Sequence, residues 1–304
     1  MSSTILVLGA SGFIGRHLAE TFAEDGHLVI AATRRQAFFN HLRIESVVSN
    51  FTECADFLPL VRRSNTIIHA ASESTPGSSL AQPQLDGNLR TTLAMIEALQ
   101  HSTHARLLYL SSGGTIYGDR AEPARENDSL RPRSYHGAGK AAAEQFIHAW
   151  TAQYAGIAIA FRPSNVYGPG QAARPAFGVI PSAFKCALRG EPFPIWGDGS
   201  AVRDYLYIDD FIALCRSAML HSFNPGMHVF NAASNEGTAL DTLLDKIDAI
   251  TGCPLQRNYQ PTRISDIRCI VMDNTAARGT FDWCPSIPLI TGLKRTWQWY
   301  SNQT

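Results

Sequence analysis

Short apolar runs alternate along the first half of the chain with segments patterned for helix. The runs at 4–8, 27–32, 46–49, 66–70, 106–111 and 157–162 read as strands, and 12–25, 85–100 and 134–154 as the helices between them. Strands that alternate with helices require parallel crossovers, so the pattern predicts an α/β fold built on a doubly wound sheet. After Pro163 the pattern breaks. Proline and glycine crowd the chain at Pro163, Gly168, Pro169, Gly170, Pro181, Gly190, Pro192, Pro194, Gly197 and Gly199, as in loops and short elements that cover a site rather than extend a sheet. Helix then recurs at 209–221, with Asp209 and Asp210 as its expected cap, and strand at 228–231. The expected division is 1–163 plus about 205–233 for the sheet domain and 164–204 plus 234–304 for a smaller α/β C-terminal, substrate-binding region.

The chain has 304 residues, of which 45% are hydrophobic, enough for a sizeable core. Its 26 basic and 26 acidic residues balance, which argues against nucleic acid or a membrane surface as partner. No apolar run is long enough for a membrane span, and 1–4 lack the basic region of a signal peptide. The six cysteines, at 54, 186, 215, 253, 269 and 284, form no close pair and no metal spacing. They read as reduced thiols, with no metal, in a protein expected to be cytoplasmic.

Gly9-Ala10-Ser11-Gly12-Phe13-Ile14-Gly15 carries the most specific chemistry in the first half. It follows a strand and opens a helix. Its glycines allow a tight turn and close approach to a pyrophosphate, and the helix N-terminus supplies unpaired N–H groups. A carboxylate at the end of the second strand would bind an adenosine ribose. That strand ends in Thr33-Arg34-Arg35 instead, and a guanidinium suits a 2′-phosphate. NADP is the expected cofactor, with NAD the alternative.

Further motifs accompany this turn: His69-Ala70-Ala71, Asn88, Ser111-Ser112-Gly113-Gly114-Thr115-Ile116-Tyr117-Gly118, Lys140, Arg162-Pro163-Ser164-Asn165-Val166-Tyr167-Gly168, Gly197-Asp198-Gly199, Arg203-Asp204-Tyr205 and Arg263-Ile264-Ser265-Asp266. The ordered set resembles the extended short-chain dehydrogenases/reductases that act on nucleotide sugars, the epimerase/dehydratase/ketoreductase group, over nearly the whole chain. The resemblance implies a Rossmann-type sheet. It implies cofactor contacts from Gly9, Ser11, Gly12, Phe13, Ile14, Gly15, Arg34, Arg35, Ala70, Ala71, Asn88, Lys140 and Pro163. It implies a nucleotide-sugar substrate held by Asn165, Arg203 and Arg263, with Ser74, Thr75 and Tyr167 as weaker candidates.

The family's catalytic triad is altered here. Related chains carry Tyr-x-x-x-Lys, and a Ser or Thr after the fifth strand. Lys140 matches, His136 stands at the tyrosine position and Gly113 at the hydroxyl position. His136 and Lys140 are four apart and share a helix face, whereas Tyr135 lies about 140° around from Lys140. Imidazole can exchange a proton near neutral pH. Three readings stay open: His136 as acid/base, Tyr135 in that role by local rearrangement, or neither. Ser112 or Thr115, with Thr115 preferred, replaces the missing hydroxyl. The leading functional expectation is an NADP(H)-dependent reductase of a nucleotide-linked keto sugar. The alternatives are a nucleotide-sugar epimerase and a non-catalytic dinucleotide sensor. The resemblance also implies a homodimer through the helices at 85–100 and 134–154.

Overall fold

The computed structural model describes residues 3–303 except 76, 78, 79, 103, 174–177, 264 and 265. Its contacts group into two units. The first comprises Met1–Ser111, Tyr135–Phe161 and His221–Phe230; the second comprises Ser112–Ser134, Arg162–Leu220 and Asn231–Thr304. This division differs from the expected one in placing 112–134 and 205–220 in the second unit.

A seven-stranded sheet runs in the order Gly226–Ala232, Ile157–Pro163, Arg106–Leu110, Thr66–His69, Thr4–Leu8, Leu28–Thr33, Ile44–Val48. From Ile157–Pro163 to Ile44–Val48 every neighbouring pair is parallel. Leu6, Ile30, Ile67 and Leu107 are sealed from solvent and pack with Phe57, Met95 and Ile147. That is the burial a parallel sheet covered on both faces requires. Strand order reverses at Thr4–Leu8, which pairs Leu8 with Ala32 on one side and His69 on the other. Ligands of such sheets bind at the carboxyl ends of the strands beside this reversal.

Two helical features differ from expectation. Cys54–Arg62 is a helix that the apolar pattern did not reveal, because Pro59 interrupts it; Glu53 and Asp56 form a capping box at its start. The expected helix over 85–100 is divided. A short helix Gln82–Gln84 leads into a π-helical turn Leu85–Leu89, and only Arg90–Leu99 is a regular α-helix. Gly87 lies in the widened turn, where a Cβ would collide with the Glu73 carboxylate.

In the second unit Val202–Tyr207 is central. It pairs antiparallel with Gly237–Ala239 and parallel with Cys269–Ile270 and Asn165–Tyr167. Phe193–Trp196 and Arg257–Gln260 form a separate parallel pair. Asp210, expected as a cap, is buried in the first turn of the Ile208–Leu220 helix and accepts hydrogen bonds from Ser286 and the Ile287 N–H. It ties down a loop rather than closing its own helix. Among the described residues no helix is long and apolar enough to cross a membrane.

Candidate active site

The turn after Thr4–Leu8 has the shape a pyrophosphate needs. Gly9 adopts φ +85°, and a Cβ there would lie 2.7 Å from the Ala71 backbone. A Cβ on Gly15 would strike the Gly9 carbonyl oxygen and lie 2.8 Å from its carbon. Both positions are closed to any other residue. Gly12 caps the Phe13–Glu24 helix with no side-chain hydrogen bond, so the first-turn N–H groups keep their donor capacity for an anion. Ser11 is exposed, and Phe13 and Ile14 begin the helix. Ala70 donates its N–H to the Leu8 carbonyl and continues the sheet edge. These residues fit a dinucleotide.

Arg34 and Arg35 follow Leu28–Thr33 and are exposed. The Arg34 guanidinium is ion-paired with Glu73.

His136 lies in the first turn of the Tyr135–Tyr154 helix, with only 6% of its surface exposed, whereas Tyr135 is 52% exposed. The helix directs position 136 inward with Lys140 and Glu144, all buried and one turn apart. His136 Nδ1 is 2.9 Å from Ser74 Oγ. Ser74 also contacts Gln84 Oε1 at 2.7 Å and Asn88 Nδ2 at 2.7 Å. Asn88 Nδ2 donates to Gln84 Oε1 at 2.9 Å, and Asn88 Oδ1 accepts the Glu73 N–H at 2.9 Å. Gly139 permits this approach, since a Cβ there would lie 3.1 Å from Gln84 Oε1. Ser74, expected at the substrate, and Asn88, expected at the cofactor, are both spent on this network.

Burial lowers the His136 pKa to about 3; the Lys140 charge adds to the shift and a hydrogen bond to the Ser74 backbone opposes it. The imidazole is thus neutral at physiological pH. Lys140 Nζ donates to the Leu110 carbonyl at 2.7 Å and sits 4.9 Å from the centre of the Tyr109 ring. Burial lowers its pKa to about 8, against the opposing effect of Glu144. His69 is buried beside Tyr109, with Nε2 3.1 Å from Thr92 Oγ1. Burial, then the Lys140 charge, lowers its pKa to about 3.

In the second unit, Gly113 opens a short helix, Gly113–Ile116. A Cβ at Gly113 would strike Met272 Sδ and lie 2.8 Å from the Arg162 carbonyl oxygen. The space a side chain at 113 would enter is therefore filled by a methionine sulfur. Thr115 Oγ1 donates to Ser112 Oγ at 2.8 Å, so the two candidate hydroxyls form one pair.

The substrate candidates fall into different settings. Arg263 stacks 3.7 Å above the Trp196 ring and lines a cavity of about 1440 Å³ with Trp196, Tyr259 and Arg268. Arg203 donates to the carbonyls of Val202 and Ile267. Asn165 Nδ2 donates to the Asp204 carbonyl at 2.9 Å. Tyr167 is 2% exposed, packs on Tyr205 and Tyr207, and donates to the Leu289 carbonyl at 3.2 Å, as a core residue does. Pro163 ends the Ile157–Pro163 strand. Of the Arg263–Asp266 motif, Ile264 and Ser265 lie outside the described residues.

The family model for the NAD dependent epimerase/dehydratase family matches residues 5–233. The chain belongs to this family. It is 30% identical to the UDP-glucose 4-epimerase of Mycolicibacterium smegmatis, over 98% of this chain and 99% of that protein. It is 25% identical to the dTDP-4-dehydro-6-deoxyglucose reductase of Escherichia coli, over 96% of this chain and 95% of that one. The structure of Thermus thermophilus UDP-glucose 4-epimerase in complex with NAD superposes with a TM-score of 0.90 at 25% identity, covering 99% of this chain and 100% of that one. Relatives in this family thus include both nucleotide-sugar epimerases and keto-sugar reductases.

Within this family frame, no motif marks Glu73, Gln84 or Met272, and Ser111 stands in its motif without an expected role. Gln84 stands four residues before its partner Asn88, a same-face spacing visible in the sequence, but its other partner, Ser74, comes from the segment after the fourth strand. Ser111 Oγ is buried without a partner among the described residues. Nothing local marks Met272 as the side chain that excludes a hydroxyl at 113.

Proposed function

We propose that this chain is a nucleotide-sugar epimerase that oxidises a secondary alcohol of a nucleotide-linked hexose and re-reduces it on the opposite face. One observation carries the reading: His136 is a buried imidazole tethered through Nδ1 to Ser74, in a setting whose burial favours the neutral ring. A neutral imidazole is ready to accept the hydroxyl proton at Nε2. An epimerase returns the proton it has just taken, so His136 never needs to be charged from bulk water. A reductase must draw a new proton each turnover, and the burial that lowers the His136 pKa disfavours recharging it from water. When bound, the nicotinamide supplies the reversible hydride acceptor. Lys140 holds the nicotinamide ribose in this reading, and the Ser112–Thr115 pair offers a hydroxyl to the sugar oxygen in place of the absent side chain at 113. Glu73 beside Arg34 supports NAD, because a carboxylate there would repel a 2′-phosphate. Arg263 over Trp196 supports binding of the base and diphosphate in the 1440 Å³ cavity. We further propose a homodimer through Phe146 and Tyr154, two turns apart on one helix and 46% and 47% exposed; light scattering at working concentration checks it.

The second reading is the NADP(H)-dependent keto-sugar reductase. It is favoured by the lack of a carboxylate at the end of Leu28–Thr33 and by the exposed Arg35. One experiment separates the two. The protein is incubated with UDP-glucose, UDP-galactose, UDP-N-acetylglucosamine and UDP-glucuronic acid, and the sugars are resolved chromatographically. Epimer formation without net consumption of added NADH or NADPH supports the epimerase. Absence of epimers, with stoichiometric loss of NADPH on nucleotide-linked 4-keto sugars, overturns it for the reductase.

A further inference from the structure

We propose that Ser74 and Gln84 are positioning residues that hold His136 in its Nδ1–H tautomer, leaving Nε2 with the lone pair that accepts the substrate proton. The proposal deepens the epimerase reading and rests on it for the role of Nε2.

The assignment follows from one group whose direction is fixed. The Glu73 backbone N–H can only donate, so the Asn88 atom 2.9 Å from it must be the oxygen. The other end of the amide is then Nδ2. Its two hydrogens go to Ser74 Oγ at 2.7 Å and to Gln84 Oε1 at 2.9 Å. Turning the Gln84 amide over would set two N–H donors face to face, so Oε1 stays where it is. The Ser74–Gln84 contact at 2.7 Å therefore needs a hydrogen, and only the Ser74 hydroxyl has one to give. Ser74 has no second hydrogen. Its 2.9 Å contact with His136 Nδ1 is a hydrogen bond only if Nδ1–H donates to the remaining Ser74 lone pair. This is the one arrangement in which all five contacts are hydrogen bonds. All four side chains are buried, so water does not compete for these atoms.

The tautomer has a chemical consequence. In the proton transfer the substrate O–H bond breaks and an Nε2–H bond forms. The resulting imidazolium still donates from Nδ1 to Ser74, so the network is intact in both halves of the cycle. In the opposite tautomer Nε2 would carry a hydrogen and could accept nothing.

The test reads the tautomer directly. Long-range ¹H–¹⁵N correlation spectra of the ¹⁵N-labelled full chain, with His136→Gln as the assignment control, report which ring nitrogen is protonated. Wild type is expected to show protonated Nδ1 and bare Nε2, unchanged from pH 5 to 8. Gln84→Met removes the acceptor and should turn the Ser74 hydroxyl toward Nδ1 and the ring hydrogen to Nε2. In the same variant kcat is expected to fall about 10²-fold or more, with KM unchanged. A wild-type ring protonated at Nε2, or a Gln84→Met ring that keeps its Nδ1 hydrogen, overturns the proposal. The wild-type spectrum stands even where a variant fails to fold. An Nδ1–H ring in a protein that epimerises no nucleotide sugar would sink the epimerase reading and leave the tautomer assignment standing.

Discussion

Positions 136 and 113, where the sequence is expected to depart from the family triad, lie in different surroundings. At 136 a buried imidazole meets Ser74 through Nδ1, and Gln84 and Asn88 complete the hydrogen bonds of that serine. At 113 a hydroxyl is missing and the space is filled by Met272 Sδ and the Arg162 carbonyl. In the proposed reading the first is a replaced function with its own support, and the second a deletion closed by packing. A triad member can thus be exchanged where the environment changes with it. Where a core atom has moved in, restoring the original residue does not restore the site.

The largest effect should come from breaking the supported side of this comparison. His136→Phe keeps the volume and removes the base, so kcat for epimer formation should fall about 10²–10⁴-fold while the fold persists. Equal rates for variant and wild type would remove His136 from the chemistry. On the packed side, Gly113→Ser should not raise kcat. It should lower stability by about 1–3 kcal/mol in urea titration, because the added atoms meet Met272 and a backbone carbonyl. Gain of activity with no loss of stability would show that the space is not filled.

Acid sharpens the contrast, because only unit one buries these neutral histidines. His136 and His69 both have folded pKa values lowered from 6.5 to about 3. Between those values the unfolded chain binds protons that the folded chain does not, so stability falls as pH drops from 6.5 toward 3. The slope should be about 1.4 kcal/mol per pH unit for each histidine. His69→Gln and His136→Gln should each flatten the curve, and a curve unchanged by both would show that neither is held neutral. On the alkaline side, kcat should decline as pH rises through about 8, where Lys140 loses its proton. The smallest effect is expected at Thr115→Val, which removes one 2.8 Å hydrogen bond to Ser112; a several-fold fall in kcat is the expected outcome, and a fall as large as that of His136→Phe would make Thr115 indispensable.

Much of the fold could be read from periodicity. The expected strands 4–8, 27–32, 106–111 and 157–162 recur within a residue or so of their observed bounds. Buried parallel strands are continuous apolar runs, and their glycine turn is local chemistry. The helix Cys54–Arg62 was hidden because Pro59 reads as a breaker, although the capping box Glu53–Asp56 outweighs it. The π-helical turn Leu85–Leu89 was hidden because a short widened turn leaves the apolar pattern of the surrounding helix unchanged. Tyr167 read as a substrate residue because its motif is shared, yet its hydroxyl is taken by the Leu289 carbonyl.

By itself the sequence determined the family, the dinucleotide turn, and the presence of histidine at 136 and glycine at 113, since each depends on residue identity at short spacing. The tertiary structure decided what those residues can do. The charge of His136 is set by burial and by Lys140, and its tautomer by Ser74, Gln84 and Asn88. Hydrogen-bond direction and desolvation depend on atoms that chain folding brings together, and no local pattern of residues encodes them.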